Sequence, residues 1–269
     1  MVNLFGHGFI GGHYANLFPC LINDKHDLVP KCQDILYLIS TVDNYNVKTN
    51  PYIDIDTNLT TLIKVLENWR QHHSGGVFNF ASSWFVYGDT DLPAREDSHC
   101  DPKGFYSITK RAAEQLLISY CETHALNYRI LRFANVLGPG DCKVSKKKNA
   151  ITYMINEMKH HRPVELYNNG EFIRDYMHVT DLCNAVNLVL STGDINTVYN
   201  IGNGQPNRFL DIIEHVTSLG SQSQIHRIEQ PEFHKTIQVA SMYMDTTKLQ
   251  KLGYRPTYSI QDMVTELYN

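Results

Sequence analysis

The sequence predicts an α/β fold: a parallel, mostly doubly wound sheet with a smaller C-terminal lobe. Three features predict it. Short apolar runs alternate with stretches of helical period, the order that a parallel sheet with right-handed crossovers needs. The first run breaks into Gly6-His7-Gly8-Phe9-Ile10-Gly11-Gly12 and then into a helical stretch. Beyond Asn135 the alternation loosens, which sets the main boundary there.

The elements follow in order. Residues 1–5 read as the first strand and residues 9 to about 18 as the first helix. Residues 27–30 fit a brief second strand. Residues 34–40, Asp-Ile-Leu-Tyr-Leu-Ile-Ser, are apolar on both faces, as a central parallel strand is. Residues 56–68 have helical period, with Leu59, Leu62, Ile63 and Leu66 on one face. Gly75-Gly76 then punctuates, and residues 77–81 form the next buried strand. Residues 106–124 make the clearest helix, striped by Ile108, Ala112, Leu116, Leu117 and Tyr120. Residues 128–133 are another strand. After the breaker Gly138-Pro139-Gly140 and a basic loop over 143–148, helices are expected at 149–161 and 180–191. A strand at 198–201 ends in Gly202-Asn203-Gly204, and helices follow at 208–219, 245–252 and 260–268.

Composition bounds the function. In 269 residues, 42% are hydrophobic and 19% charged, the profile of an ordinary globular chain. Lys plus Arg is 24 against 28 Asp plus Glu, a net charge of −4. That balance argues against a general nucleic-acid or anionic-membrane binder. Cys20, Cys32, Cys100, Cys121, Cys142 and Cys183 include no C-x-x-C pair and no zinc spacing, so no metal site is expected. Scattered single cysteines suit a reducing, cytoplasmic setting. No signal peptide and no run of about 18 apolar residues is seen.

Three motifs carry chemistry. Gly6-x-Gly8-x-x-Gly11 lies between a strand and a helix, where glycines let the backbone approach a pyrophosphate on the helix N-terminus. Tyr106-Ser107-Ile108-Thr109-Lys110 places Tyr106 and Lys110 on one helix face. An ammonium there favours phenolate, which makes Tyr106 a general acid/base near neutrality. Ser82-Ser83 closes the strand at 77–81, at the edge where ligands bind in open α/β sheets. Each motif alone has a bland reading, as a structural turn, an exposed Tyr and Lys, or two strand-end serines. Their order along one chain favours the chemical one.

These motifs, with Leu131-Arg132-Phe133-Ala134-Asn135-Val136-Leu137-Gly138-Pro139, Arg174-Asp175-Tyr176-Met177-His178-Val179-Thr180-Asp181 and Tyr199-Asn200-Ile201-Gly202-Asn203-Gly204, resemble the extended short-chain dehydrogenase/reductase family. The likeness is to its NAD(P)-dependent nucleotide-sugar epimerases, dehydratases and reductases, and it covers nearly the whole chain. It implies a Rossmann-like dinucleotide domain over 1–134 with a return segment at about 175–200. A substrate lobe would occupy about 135–174 and 201–269. It implies catalytic Ser83, Tyr106 and Lys110. Gly6, Gly8, Phe9, Ile10, Gly11 and Asn58 would bind NAD or NADP together with Tyr106 and Lys110. Ser83, Asn135, Asn149, Arg174 and Lys235 would bind the nucleotide sugar.

Three departures from the family pattern sharpen the expectation. Only about 23 residues separate Gly11 from Asp34, so one strand–helix unit should be missing. No clear acidic residue stands about 20 residues after the glycines; Asp24 and Asp27 are candidates by count, while the expected strand end presents Lys31, which suits the 2′-phosphate of NADP. Trp84-Phe85 stands where the family's 4,6-dehydratases carry an Asp-Glu pair. The resemblance then implies epimerisation of a nucleotide-activated sugar through a keto intermediate. An NADPH-dependent keto-sugar reductase is the alternative, and a dinucleotide-sensing protein without turnover is a third, disfavoured by the intact Ser83, Tyr106 and Lys110. A homodimer through the helices at 56–68 and 106–124 is expected, with Tyr120 and Cys121 among its apolar residues.

Overall fold

The computed structural model describes residues 1–42, 44–73, 75–141, 145 and 149–269. Cys142 and Lys146–Lys148 lie outside the described residues. The sheet begins with β1 (Val2–Phe5), β2 (Cys20–Ile22), β3 (Ile35–Tyr37), β4 (Val77–Ser83) and β5 (Asn127–Phe133). Four short strands outside this sheet follow: β6 (Asn135–Leu137), β7 (Val164–Tyr167), β8 (Ile173–Arg174) and β9 (Tyr176–His178). Then β10 (Thr197–Ile201) returns to the sheet, whose order is β10-β5-β4-β3-β1-β2, with every neighbour parallel. The fold is Rossmann-like.

Alternation along the strands builds both faces. Leu4, Leu36, Ala81 and Leu131 point to a core shared with α1 (Phe9–Leu17) and α7 (Val179–Thr192). Phe5, Ile35, Tyr37, Phe78, Phe80 and Ile130 point to the opposite core. There they meet α4 (Thr61–His73) and α5 (Phe105–Thr123) through Leu62, Leu66, Trp69, Ala113 and Leu117. The segment before α4 is nearly continuous helix: α2 (Asn46–Thr49), α3 (Tyr52–Ile55) and a π turn at Asp56–Thr60.

A third core lies among α6 (Ala150–Lys159), β7, α8 (Phe209–Ser218) and α11 (Ile260–Tyr268), where Ile151, Ile155, Leu166, Ile213 and Val264 meet. Three short ladders organise this side: β6 with β9, β7 with β12 (Ile225–Ile228), and β8 with β11 (Asn207–Arg208) and β13 (Ser241–Met242). Two short helices, α9 (Glu232–Ile237) and α10 (Thr247–Lys251), complete it. Val239, Met242, Met244, Leu249 and Tyr254 turn back to join the first core. No helix among the described residues is long and apolar enough to cross a membrane.

One strand–helix unit is missing, as the short gap implied. The full doubly wound order continues past β2 to a further strand, but here β2 is the edge and residues 23–34 cross directly to β3 without helix or strand. The strand expected at 27–30 does not form, and β2 lies seven residues earlier. The buried Asn23 side chain explains it, since its amide donates to the carbonyls of Asp27 (2.9 Å) and Val29 (2.8 Å) and curls the segment around itself. Asn3 in β1 holds the same knot by donating to Asn23 Oδ1 (2.7 Å) and accepting from the Lys31 amide (2.6 Å).

The loop takes over the covering role of the lost helix. Trp69 Nε1 donates to the Gln33 carbonyl (2.7 Å) and Asn68 Nδ2 to the Leu28 carbonyl (3.0 Å), fastening it to α4. Trp69 is fully buried in the second core. Trp69→Ala should therefore cost about 3–5 kcal/mol, the range for emptying a buried aromatic site. Urea unfolding of the purified variant checks this, and a loss under about 1 kcal/mol would show that the loop is not seated through Trp69.

Candidate active site

The glycine turn has the shape of a phosphate cradle. Gly6 has φ +98°, and a Cβ there would press on Ile39 N and Leu38 C at 2.8 Å. A Cβ at Gly11 would lie 2.2 Å from the Gly6 carbonyl oxygen. Both glycines are demanded by the turn itself. Gly8 is different: a Cβ there would meet no protein atom within 4 Å, so its side of the turn is open to an approaching group. It is also the N-cap of α1, where no side chain caps the first amides. Free amides facing an open cradle fit a dinucleotide pyrophosphate. The Phe9 and Ile10 side chains turn into the first core, so these two residues offer only their backbone.

The adenosine end differs from expectation. Lys31 does not follow a strand. Its ammonium is held by Asp27 (3.3 Å) and the Ile22 carbonyl (3.2 Å), which offsets the charge meant for a 2′-phosphate. The strand that does form, β2, ends at Ile22 and is followed by Asn23 and the exposed Asp24.

Tyr106, Lys110 and Glu114 occupy one buried stripe of α5, at successive intervals of four. Lys110 Nζ donates to the Ala81 carbonyl (2.6 Å) and lies 4.2 Å from the Phe80 ring centroid. Burial pulls its pKa down to about 7, opposed by the Glu114 charge. Burial also works against the Glu114 carboxylate, but Arg132 from β5 outweighs it with two bonds (3.0 and 2.8 Å) and holds its pKa below the usual range. Glu114 carries no motif and the sequence reading missed it.

Ser83 ends β4 and caps the short 3₁₀ turn at Trp84–Val86, its Oγ accepting from the Phe85 amide (3.4 Å). Tyr106 stands near Ser83 and Ser40, whose hydroxyls act on its own. Its pKa is raised, by burial above all, with Ser83 and Ser40 opposing. The sequence argument had Lys110 lowering it. In the structure Lys110 is not among the groups that shift Tyr106, because its ammonium is turned onto Ala81.

Asn58 is placed beside these groups but its amide is saturated. Oδ1 accepts from Thr41 N (3.0 Å) and Ser40 Oγ (3.2 Å); Nδ2 donates to Thr41 Oγ1 (2.9 Å) and Thr109 Oγ1 (3.0 Å). Two donors and two acceptor sites are all that an amide has. Asn58 therefore positions the Ser40–Thr41 turn and α5 rather than reaching for a cofactor.

A cavity of about 300 Å³ opens beyond Ser83, lined by Trp84, Phe85, Asn135, Asn149 and Arg174 among others. Trp84 and Phe85 stack at 3.9 Å, and the Phe85 ring meets the Tyr106 ring edge-on at 5.9 Å, so this wall of the cavity borders Tyr106. Arg174 is buried, donating to the carbonyls of Ile173 (2.7 Å), Val239 (2.7 Å) and Ala240 (3.0 Å). Its guanidinium lies 5.2 Å from Trp84, and burial brings its pKa to about 10. No carboxylate among the described residues pairs with it. Asn135 donates to the Asp175 carbonyl (3.1 Å) and Asn149 to that of Val136 (3.2 Å).

Lys235 does not join them. It pairs with Glu232 on its own helix (2.6 Å) and lies outside the lining. Its neighbours His234 and Gln238 line the cavity instead, with Tyr45 and Tyr167. Tyr45 Oη and His234 Nε2 are 2.6 Å apart, closing the wall between the β3 loop and α9. Tyr45 and His234 have no sequence signal, being 189 residues apart. Among the described residues no group of three His, Cys, Asp or Glu could hold a metal ion.

The chain is similar to known proteins in sequence and in fold. A putative UDP-glucose 4-epimerase of Methanocaldococcus jannaschii is 24% identical over 300 residues, spanning 98% of this chain and 95% of its own. The solved UDP-glucose 4-epimerase of Thermotoga maritima with UDP-glucose shares the fold at a TM-score of 0.86, with 19% identity over 99% of this chain and 96% of that one. RMD from Pseudomonas aeruginosa in complex with NADPH gives 0.84 and 21%, over 99% and 97%. Residues 11–202 match the NAD dependent epimerase/dehydratase family. That match runs from the last glycine of the cradle to the end of β10, and the chain belongs to this family.

Proposed function

We propose that the chain catalyses NAD(P)-dependent epimerisation of a nucleotide-activated sugar through a transient keto sugar. The observation that carries the reading is a cavity walled by Trp84 and Phe85, which follow Ser83, with Phe85 bordering the Tyr106 ring, and holding a buried guanidinium without a carboxylate partner among the described residues. Arg174 suits a diphosphate, as a desolvated cation gains most from an anionic ligand. Asn135, Asn149 and the uncapped start of α6 flank it. We take about 135–174 and 201–269 as the lobe that closes over this substrate. Trp84 and Phe85 present no acid or base, which argues against 4,6-dehydration.

A bound nicotinamide would supply hydride uptake and return. Gly6, Gly8 and Gly11 with the α1 amides would hold its pyrophosphate, and Asp24 stands where the adenosine ribose would lie, which favours NAD over NADP. Lys110 would hold the nicotinamide ribose. Tyr106 takes the proton from the sugar hydroxyl as the carbon is oxidised and gives it back when the opposite face of the keto sugar is reduced. Ser83 fixes the sugar oxygen beside Tyr106.

One observation favours a reductase as second reading. With β2 as the sheet edge, the adenosine end lacks the neighbouring strand that would enclose it, which suits cofactor exchange after each turnover.

A homodimer through α4 and α5 also fits. The face differs from the one expected, since Cys121 is buried in its own core and Tyr120 is tied to Glu67 (2.5 Å) and Arg70 (3.0 Å). Ile108 (51% exposed) and Leu116 (42%) are the apolar residues that α5 presents outward. Light scattering at micromolar concentration should give a dimer, converted to monomer by Leu116→Arg; a monomeric wild type would contradict this.

The catalytic assignment has a direct check. Tyr106→Phe should lower turnover of a nucleotide sugar by about 10²–10⁴-fold, the usual worth of a positioned proton-transfer group, while cofactor affinity stays close to wild type. Lys110→Ala should damage both. Wild-type turnover in Tyr106→Phe would remove the tyrosine from the mechanism.

A further inference from the structure

Behind Tyr106 lies a buried carboxylate that no motif singles out. Asp54 on α3 has no exposed surface. One oxygen, Oδ1, accepts from the Thr41 hydroxyl and from Asn46 Nδ2 (3.1 Å). The other, Oδ2, is buried and has no hydrogen-bond partner. No cation among the described residues forms an ion pair with Asp54. An ionised carboxylate left in that state is costly, typically several kcal/mol, so its retention calls for a reason.

The hydrogen bonds lead from Asp54 to Tyr106. Thr41 bonds Asn58, and Asn58 bonds both Ser40 Oγ (3.2 Å) and Thr109 Oγ1 (3.0 Å). Thr109 donates to the Tyr106 carbonyl (2.8 Å), and the Ser40 hydroxyl is among the groups that act on the Tyr106 phenol. Asp54 thus anchors a network that reaches the Tyr106 backbone through Asn58 and Thr109.

We propose that Asp54 is a positioning residue for the proton-transfer step, anchoring the Thr41–Asn58–Ser40 network and placing a negative charge behind the Tyr106 phenol. This rests on the reading of Tyr106 as the acid/base. Burial is the largest reason why Tyr106 holds its proton above the ordinary range, and the Asp54 charge adds to it. Among the described residues, the other charged or titratable groups on the neighbouring elements are these. On α5 itself Lys110 is turned onto Ala81. On α2 the Lys48 ammonium lies 3.7 Å from the Phe233 ring centroid. On the π turn Asp56 is exposed. Ser83 and Ser40 bring hydroxyls. The sign follows: removing the Asp54 charge makes phenolate easier to form. Whether Tyr106 acts as base or acid, its titration moves to lower pH.

The test is carbon-13 NMR of protein labelled at tyrosine Cζ, with the Tyr106 signal assigned by its loss in Tyr106→Phe. In Asp54→Asn, which keeps the shape, the Tyr106 titration should move measurably to lower pH, because a negative charge that opposes phenolate has been removed. An unmoved titration overturns the proposal. Thr41→Val keeps the charge but cuts the network. It should lower kcat on a nucleotide sugar several-fold while the Tyr106 titration stays within about 0.3 unit of wild type. Unchanged turnover in Thr41→Val overturns the positioning role, and this arm stands even if Asp54→Asn does not fold. A wild type that turns over no nucleotide sugar defeats the functional reading instead, and the titration arm still decides for or against Asp54.

Discussion

The docking of α5 on β4 and β5 is the constraint from which the site follows. The helix buries three polar heads on one stripe, and each must find a partner inside the protein. Lys110 finds the Ala81 carbonyl and Glu114 finds Arg132. Sliding the helix by a turn would strand an ammonium and a carboxylate, and losing one partner of a buried pair costs about 3–5 kcal/mol. The axial position of α5 is therefore fixed by polar satisfaction two turns below the reaction centre. Tyr106, in the first turn, is thereby held opposite the end of β4, where Ser83 lies. The same strand supplies both the anchor, Ala81, and Ser83, so their spacing is set by two residues of extended chain.

The cofactor end shows the opposite economy. Loss of a strand–helix unit leaves β2 as an edge, and a side chain, Asn23, does the folding that a helix would have done. The Asn3–Asn23 pair keeps residues 23–34 compact enough to reach β3, and Trp69 seats the loop on α4. The glycine cradle is untouched because it depends only on β1, α1 and the end of β3. Pyrophosphate recognition and adenosine enclosure are thus physically separable, and this chain keeps the first while thinning the second.

Much of this was legible in the sequence, for local reasons. Glycines at a strand–helix turn and Tyr and Lys four apart are read from spacing alone, and the observed α5 and α11 differ from their expected spans by at most one residue at each end. Failures came where one particular side-chain hydrogen bond or ion pair, near or far along the chain, decides. Residues 27–30 looked like a strand until Asn23 took their carbonyls, and Lys31 lost its supposed role with them. Lys235 falls beside the cavity in sequence, yet Glu232 on the same helix holds it away while His234 faces inward. The partners that saturate the Asn58 amide are visible only once Thr41 and Thr109 are near. Glu114, Asp54 and the Tyr45–His234 contact have no pattern to announce them.

The central claim is that hydride leaves and returns to the same sugar carbon within one turnover. It is tested most directly by following a panel of UDP-, GDP-, dTDP- and CDP-sugars by NMR while recording the absorbance of reduced nicotinamide. The account predicts that an epimer of one nucleotide sugar accumulates with no net change in reduced cofactor. Stoichiometric loss of NADPH on a keto sugar, or no conversion of any member of the panel, would contradict it.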